Sequence, residues 1–161
     1  MAFDAFLKID GIKGESTDKG HKDEISLESF SWGVVQSGAA YAGSAGRATG
    51  KSSPSDFSVV KKIDKSSPDL FAACASGKHT PTMVVTLRKA GGTPLEYLVY
   101  KFTDVMVSSY QAGGSAGGDL PVESVSFNYA KVEIKYTPQD SKGSGMSPVG
   151  TGWDFSQNVK V

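Results

Sequence analysis

Between Val122 and Tyr136 the apolar positions change step. Val125, Phe127 and Tyr129 alternate with Ser124, Ser126 and Asn128, whereas past Ala130 it is Val132, Ile134 and Tyr136 that alternate with Lys131, Glu133 and Lys135. Alternation at period two marks a strand with one face in the core, and a one-residue shift sends every side chain to the opposite face. At ~3.3 Å per residue the stretch extends about 50 Å, more than twice a common strand. It must therefore bend, and a bulge or corner near Ala130 supplies both the bend and the change of face. A hairpin turn at Ala130–Lys131 is the alternative, although neither residue is a turn former. An earlier stretch shows the same change: Ile25 and Leu27 keep one parity, Phe30, Trp32 and Val34 the other. Two strands that swap faces predict a closed or nearly closed barrel.

The rest of the chain fills in that frame. Phe3, Ala5, Leu7 and Ile9 form a first strand ending in the turn signal Asp10-Gly11. Lys13 to Glu24 is a loop of mixed charge, expected to be a solvated tip with His21 in it. Phe57, Val59 and Ile63 predict a third strand, closed by Asp64-Lys65. The run from Ser66 to Pro81 carries one helix, about 67–77. Ser67 is placed to cap it, Pro68 suits its first turn and Asp69 its positive end. Gly77 with Lys78 and His79 closes it, His79 falling in the last turn. At about ten residues it must dock, and Leu70, Phe71 and Cys74 are the face expected to do so. Met83, Val85 and Leu87 form a strand, residues 89–94 a hairpin connection, and Leu95 to Tyr110 a long return strand. Residues 111–121 and 138–152 are Gly-rich, and Trp153, Phe155 and Val159 end the chain in a short strand. Seven or eight strands and one helix predict an all-β fold, a barrel or sandwich.

Residues 36–53 stand apart, thirteen of the 18 being Gly, Ala or Ser, with Gln36, Tyr41, Arg47 and Lys51 as the only large side chains. Ordering such a loop costs on the order of 20–35 kcal/mol of backbone entropy, and burying Tyr41 returns only about 1.5–3 kcal/mol. The loop is expected to order only against another surface.

Composition removes several classes of function. The 161 residues suffice for one domain, 1–161, with a core of its own. Acidic and basic residues balance at 17 each, so no basic excess attracts nucleic acid or an anionic membrane. Cys74 is the single cysteine, and the two histidines, His21 and His79, are far apart in sequence. No metal-ligand spacing results, and Cys74 and His79, five apart on a helix end, would not face one another. No serine lies in a Gly-x-Ser-x-Gly elbow. Asp10, Glu15, Asp23 and Glu24 fall in loops where nothing raises a carboxyl pKa for acid–base work. Ala45 to Ser52 meets a relaxed phosphate-loop pattern, but Pro54 and a strand follow where a helix is needed. No catalytic, cofactor or metal site is expected. The first residues carry no basic lead and apolar core of a signal peptide, and no run is long enough to span a membrane. The chain reads as made in the cytoplasm and, if it leaves, as leaving without a cleaved signal.

What lies opposite the core is more informative. Ser29, Ser31 and Gly33 back Phe30 and Trp32, and Ser124, Ser126 and Asn128 back the Val125 to Tyr129 set. Such a wall of small hydroxyls is either an ordinary sheet exterior or a surface completed by repeated copies.

The opening Phe6-Leu7-Lys8-Ile9-Asp10-Gly11-Ile12-Lys13-Gly14-Glu15-Ser16, followed by His21 and by Ser31-Trp32-Gly33, resembles that of the haemolysin-coregulated protein (Hcp) family. The helix from Asp69 to His79 and the ending Gly152-Trp153-Asp154-Phe155 resemble the same family, so the likeness covers essentially the whole chain. The resemblance implies an Hcp-like β-barrel of two packed antiparallel sheets with one flanking helix and long Gly-rich loops. It implies hexameric rings that stack into the inner tube of the bacterial type VI secretion system, inside a contractile sheath and behind a spike, with related folds in phage tail tubes. Small effectors would ride in the lumen. Ser31 would then line the inner wall, and by the same face Ser29, Ser124 and Ser126. The loop bearing Tyr41, Arg47 and Lys51 would lie against a neighbouring subunit or ring. A monomeric β-barrel binding module or small hydrolase is the other class of function left open.

Overall fold

The computed structural model describes residues 3–36, 51–90 and 94–161. In chain order the elements are β1 (Phe3–Ile9), β2 (Ile25–Leu27), β3 (Ser29–Ser31), β4 (Val34–Gln36), β5 (Ser52–Pro54) and β6 (Phe57–Lys62). They continue with α1 (Ser67–Ser76), β7 (His79–Lys89), β8 (Glu96–Gly113), β9 (Val122–Tyr136), β10 (Val149–Asp154) and β11 (Val159–Lys160). All pairings are antiparallel, and one path runs β11-β10-β9-β8-β7-β1-β2. The strand β9 has two partners on its other edge. It pairs with β6 from Phe57↔Phe127 to Lys62↔Val122 and with β10 from Asp154↔Lys131 to Val149↔Tyr136. β6 in turn carries β3.

The change of step at Ala130 is a corner, not a bulge. The register of β8 on β9 continues unbroken from Leu98↔Tyr136 to Val107↔Phe127, so both strands change face together. The core takes Phe102 and then Val105 from β8, Tyr129 and then Val132 from β9. Opposite Ala130 stands Asp104 with φ 56°, in the left-handed region that Asp tolerates better than most residues. Opposite Asp104 on β7 stands Pro81. The bulge lies further along β8, between Val107 and Ser109.

The earlier corner falls at Glu28. There the chain leaves β1 and passes to β6, with the Glu28 N–H donating to the Val60 carbonyl at 2.8 Å. The sheet thus wraps its core, but the ladders do not close into a barrel. β2 and β3 are only three residues each, and beyond them Val34 and Val35 turn to solvent. Together with β5, β4 forms a separate two-stranded sheet. Inside, Phe57, Phe102, Phe127, Leu7, Ile25 and Met83 are fully buried. Phe102 lies 4.9 Å from the Phe57 ring and 4.8 Å from Tyr129.

The helix differs from expectation in three particulars. Its N-cap is Ser66, and Ser67 is the first helical residue. Leu70 and Ala73, three apart, are buried and Cys74 packs half-buried against the core as expected, while Phe71 is 59% exposed; one residue advances a helix by ~100°, so Leu70 and Phe71 cannot both point inward. Gly77 is the C-cap with φ 66°, and His79 opens β7 with Nδ1 2.9 Å from Asp104.

The loop before β2 is no solvated tip. His21 is 6% exposed and stacks on Phe6 at 4.3 Å. Its Nδ1 lies 3.0 Å from Glu24 and its Nε2 2.6 Å from Glu96. Arg88 donates to Asp18 at 2.8 and 2.9 Å, holding that carboxyl down at about 2. Charges that look solvated singly are here partners across the chain. Gly14 makes the close packing possible: a Cβ there would lie 2.5 Å from the Glu24 carbonyl oxygen and 2.7 Å from Ile25 Cα. Both obstacles are backbone, so Gly14→Ala is expected to lower stability by about 1–3 kcal/mol in denaturant titration.

Candidate functional site

On the face of the sheet turned away from the core, β3, β6, β9 and β8 set their residues in two cross-strand rows. One row is Ser31, Ser58, Ser126 and Ser109; the other is Ser29, Val60, Ser124 and Gln111. They line a shallow depression of about 250 Å³. The faces follow from parity, because Phe57 and Val59 on β6 and Val125 and Phe127 on β9 occupy the core. Ser58 and Ser126 share a hydrogen bond of 2.9 Å. Neither row holds a charged residue. Charge begins at the ends, where Asp56 accepts from the Ser108 hydroxyl at 2.6 Å and Lys62 lies 3.1 Å from Asp119 and 3.8 Å from Glu28. The four serines singled out in the sequence therefore share one patch. Ser58, Ser109 and Gln111 join them without having been singled out. For Ser58 the signal was present in its alternation with Phe57 and Val59; for Ser109 and Gln111 it was hidden by the bulge. Of the loop residues, Lys51 is exposed just before β5, while Tyr41 and Arg47 lie outside the described residues.

Directly behind this face is a buried charge cluster. Lys61 is 1% and Glu123 0% exposed, and the two are in contact. Glu123 also accepts from the hydroxyls of Ser67, at 2.6 Å, and Tyr110. Lys61 reaches Asp64 at 3.0 Å, and Asp64 accepts from the Ser66 N–H at 2.9 Å, so one cluster joins β6, β8 and β9 to the start of α1. Burial, and then the bond to Glu123, push the Tyr110 hydroxyl up to about 12. Sequence parity places Glu123 with Val125 and Lys61 with Val59, on the core side, a signal that their charge masks. Among the described residues no group of His, Cys, Asp and Glu is arranged to hold a metal ion, and no helix is long and apolar enough to cross a membrane.

The architecture is thus that of an all-β protein built on one wrapped antiparallel sheet, with a single helix among the described residues and an uncharged hydroxyl face. A family model described as "Type VI secretion system effector, Hcp" matches residues 6–136. The chain is 47% identical over 163 aligned positions to Protein hcp1 of Pseudomonas aeruginosa, with all of both chains covered. Among solved structures, Hcp1 from Salmonella typhimurium is 40% identical with a TM-score of 0.83, again over all of both chains. Another, described as a type six secretion system protein, is 37% identical with a TM-score of 0.95 over 99% of this chain and all of the other. The chain belongs to the Hcp family of type VI secretion proteins. It is accordingly a tube and effector protein of that system, of a family that builds ring and tube assemblies.

Proposed function

We propose that residues 1–161 act as one domain whose copies join in rings of six and stack into the type VI inner tube, with the hydroxyl face toward the lumen. The observation that supports this most is the uncharged face itself. Ser29, Ser31, Ser124 and Ser126 offer groups that either donate or accept, each hydrogen bond worth about 1 kcal/mol net. Several together hold a small effector without fixed charges that would trap it. Ring-to-ring contact is head to tail, a surface that need not close and so extends into a tube. The loop carrying Tyr41, Arg47 and Lys51 lies against a neighbouring copy in this reading, the spike caps the tube and the contractile sheath surrounds it. The role is structural, without catalysis or cofactor, and the protein leaves the cell through the apparatus it builds.

Family membership favours this over a monomeric binding module or small hydrolase. Negative-stain images of the purified chain are expected to show six-fold particles with an open centre; a lone particle at every concentration overturns the proposal. Ser31→Gln is expected to leave the rings intact and to lower effector retention about tenfold, the loss of roughly 1.4 kcal/mol. An unchanged effector yield removes Ser31 from the lumen wall.

A further inference from the structure

The composition of the hydroxyl face depends on one irregularity. Up to Val107 the strand β8 keeps a single register on β9; Ser108 is then skipped, and Ser109 pairs with Ser126, Tyr110 with Val125 and Gln111 with Ser124. Continued without the extra residue, β8 would set Ser108 opposite Ser126, Ser109 opposite Val125 and Tyr110 opposite Ser124. Ser109 would then face the core, and the Tyr110 ring would stand in the middle of the hydroxyl rows, since a one-residue slip exchanges the two faces. A bulge inserts a residue at the cost of a disrupted ladder and must be held by something. Two side-chain contacts flank this one. Outside, Ser108 donates to Asp56 at 2.6 Å. Inside, Tyr110 donates to Glu123, which Lys61 and Ser67 hold from two other directions.

We infer that Glu123 is a positioning residue for the hydroxyl face: by accepting from Tyr110 it fixes the register of β8 beyond Ser108, so that Ser109 and Gln111, not Tyr110, line the wall. The inference deepens the lumen reading and rests on it for its functional meaning, but the register itself is testable apart from any effector. Lys61 supplies the countercharge for the buried carboxylate, and Ser67 fastens it to the start of α1. The contact is made from the core side, where no effector reaches it. A buried charge of this kind contributes geometry more than stability, because apolar residues of similar volume often replace such a pair without loss.

The test uses the full chain carrying Cys74→Ala and Ser109→Cys, with the rate of thiol alkylation at position 109 as the readout and thermal unfolding as the control. Replacing the pair with Lys61→Met and Glu123→Leu is expected to keep the unfolding temperature near the parent's and to slow alkylation at least tenfold as position 109 turns inward. Glu123→Gln, which still accepts from Tyr110, is expected to lower the unfolding temperature while alkylation stays at the parent rate. Stability and register thus move separately, which a purely structural role would not allow. A folded Lys61→Met/Glu123→Leu protein alkylated at the parent rate overturns the inference. If that protein does not fold, Tyr110→Phe decides: a severalfold slowing supports the register role, and an unchanged rate overturns it. Failure of the lumen reading appears elsewhere, as effector retention indifferent to Ser31→Gln, and leaves the alkylation result standing.

Discussion

Glu123→Leu alone, with Lys61 left in place, is expected to lower the free energy of unfolding by about 3–5 kcal/mol. Lys61 is 1% exposed and would lose the carboxylate it is in contact with. Asp64 at 3.0 Å remains to it, which places the loss toward the lower end. Tyr110 and Ser67 lose their common acceptor at the same time, and a buried donor left unmatched costs about 1–3 kcal/mol. Urea titration at fixed protein concentration is the measurement, since assembly adds stability by mass action. A midpoint within experimental scatter of the parent's would mean that Asp64 alone satisfies Lys61, and the pairing with Glu123 would then carry no energetic weight.

Phe102→Ala is expected to cost a similar amount, about 3–5 kcal/mol, for a different reason. The ring is fully buried where the two halves of the wrapped sheet meet, with Phe57 at 4.9 Å, Tyr129 at 4.8 Å and Trp32 at 6.2 Å. Phe57 and Tyr129 are held in the ladders by pairing with Phe127 and Val105, and are not free to collapse into the cavity. Phe71→Ala serves as the comparison, because that ring is 59% exposed and lies 6.1 Å from the Tyr110 ring. It is expected to change stability by less than about 0.5 kcal/mol, as surface substitutions do. Equal losses at the two positions would show that the buried ring is not central to the core.

Apolar alternation made much of this fold legible. The corners at Glu28 and Ala130 both appear as changes of parity, because burial on one face is recorded residue by residue along a strand. Closure did not appear there. Whether a wrapped sheet joins into a barrel depends on how far short edge strands extend, and β2 and β3 stop after three residues, a property of partners distant in sequence. His21 misled because a polar side chain reads as solvated until its counterpart, here Glu96, is brought beside it from far away in the chain; the burial of Glu123 against Lys61 was not legible for the same reason. The serines of β3 and β9 were legible as a face, whereas Ser109 and Gln111 were not, since a bulge resets the alternation without leaving a mark in residue type. The exposure of Phe71 is not legible in the sequence, because hydrophobicity alone does not say which of two adjacent helical residues wins the docked side.

The crease through Pro81, Asp104 and Ala130 has a mechanical consequence. Three neighbouring strands change face at the same level, so sliding one along another would carry its change of face out of line with the rest. The shared crease acts as a key against shear, and the run of β8 beyond Ser108, where the register on β9 has shifted, needs a separate fastening. A conduit wall assembled from such subunits would pass on a thrust along its strands as a stiff body.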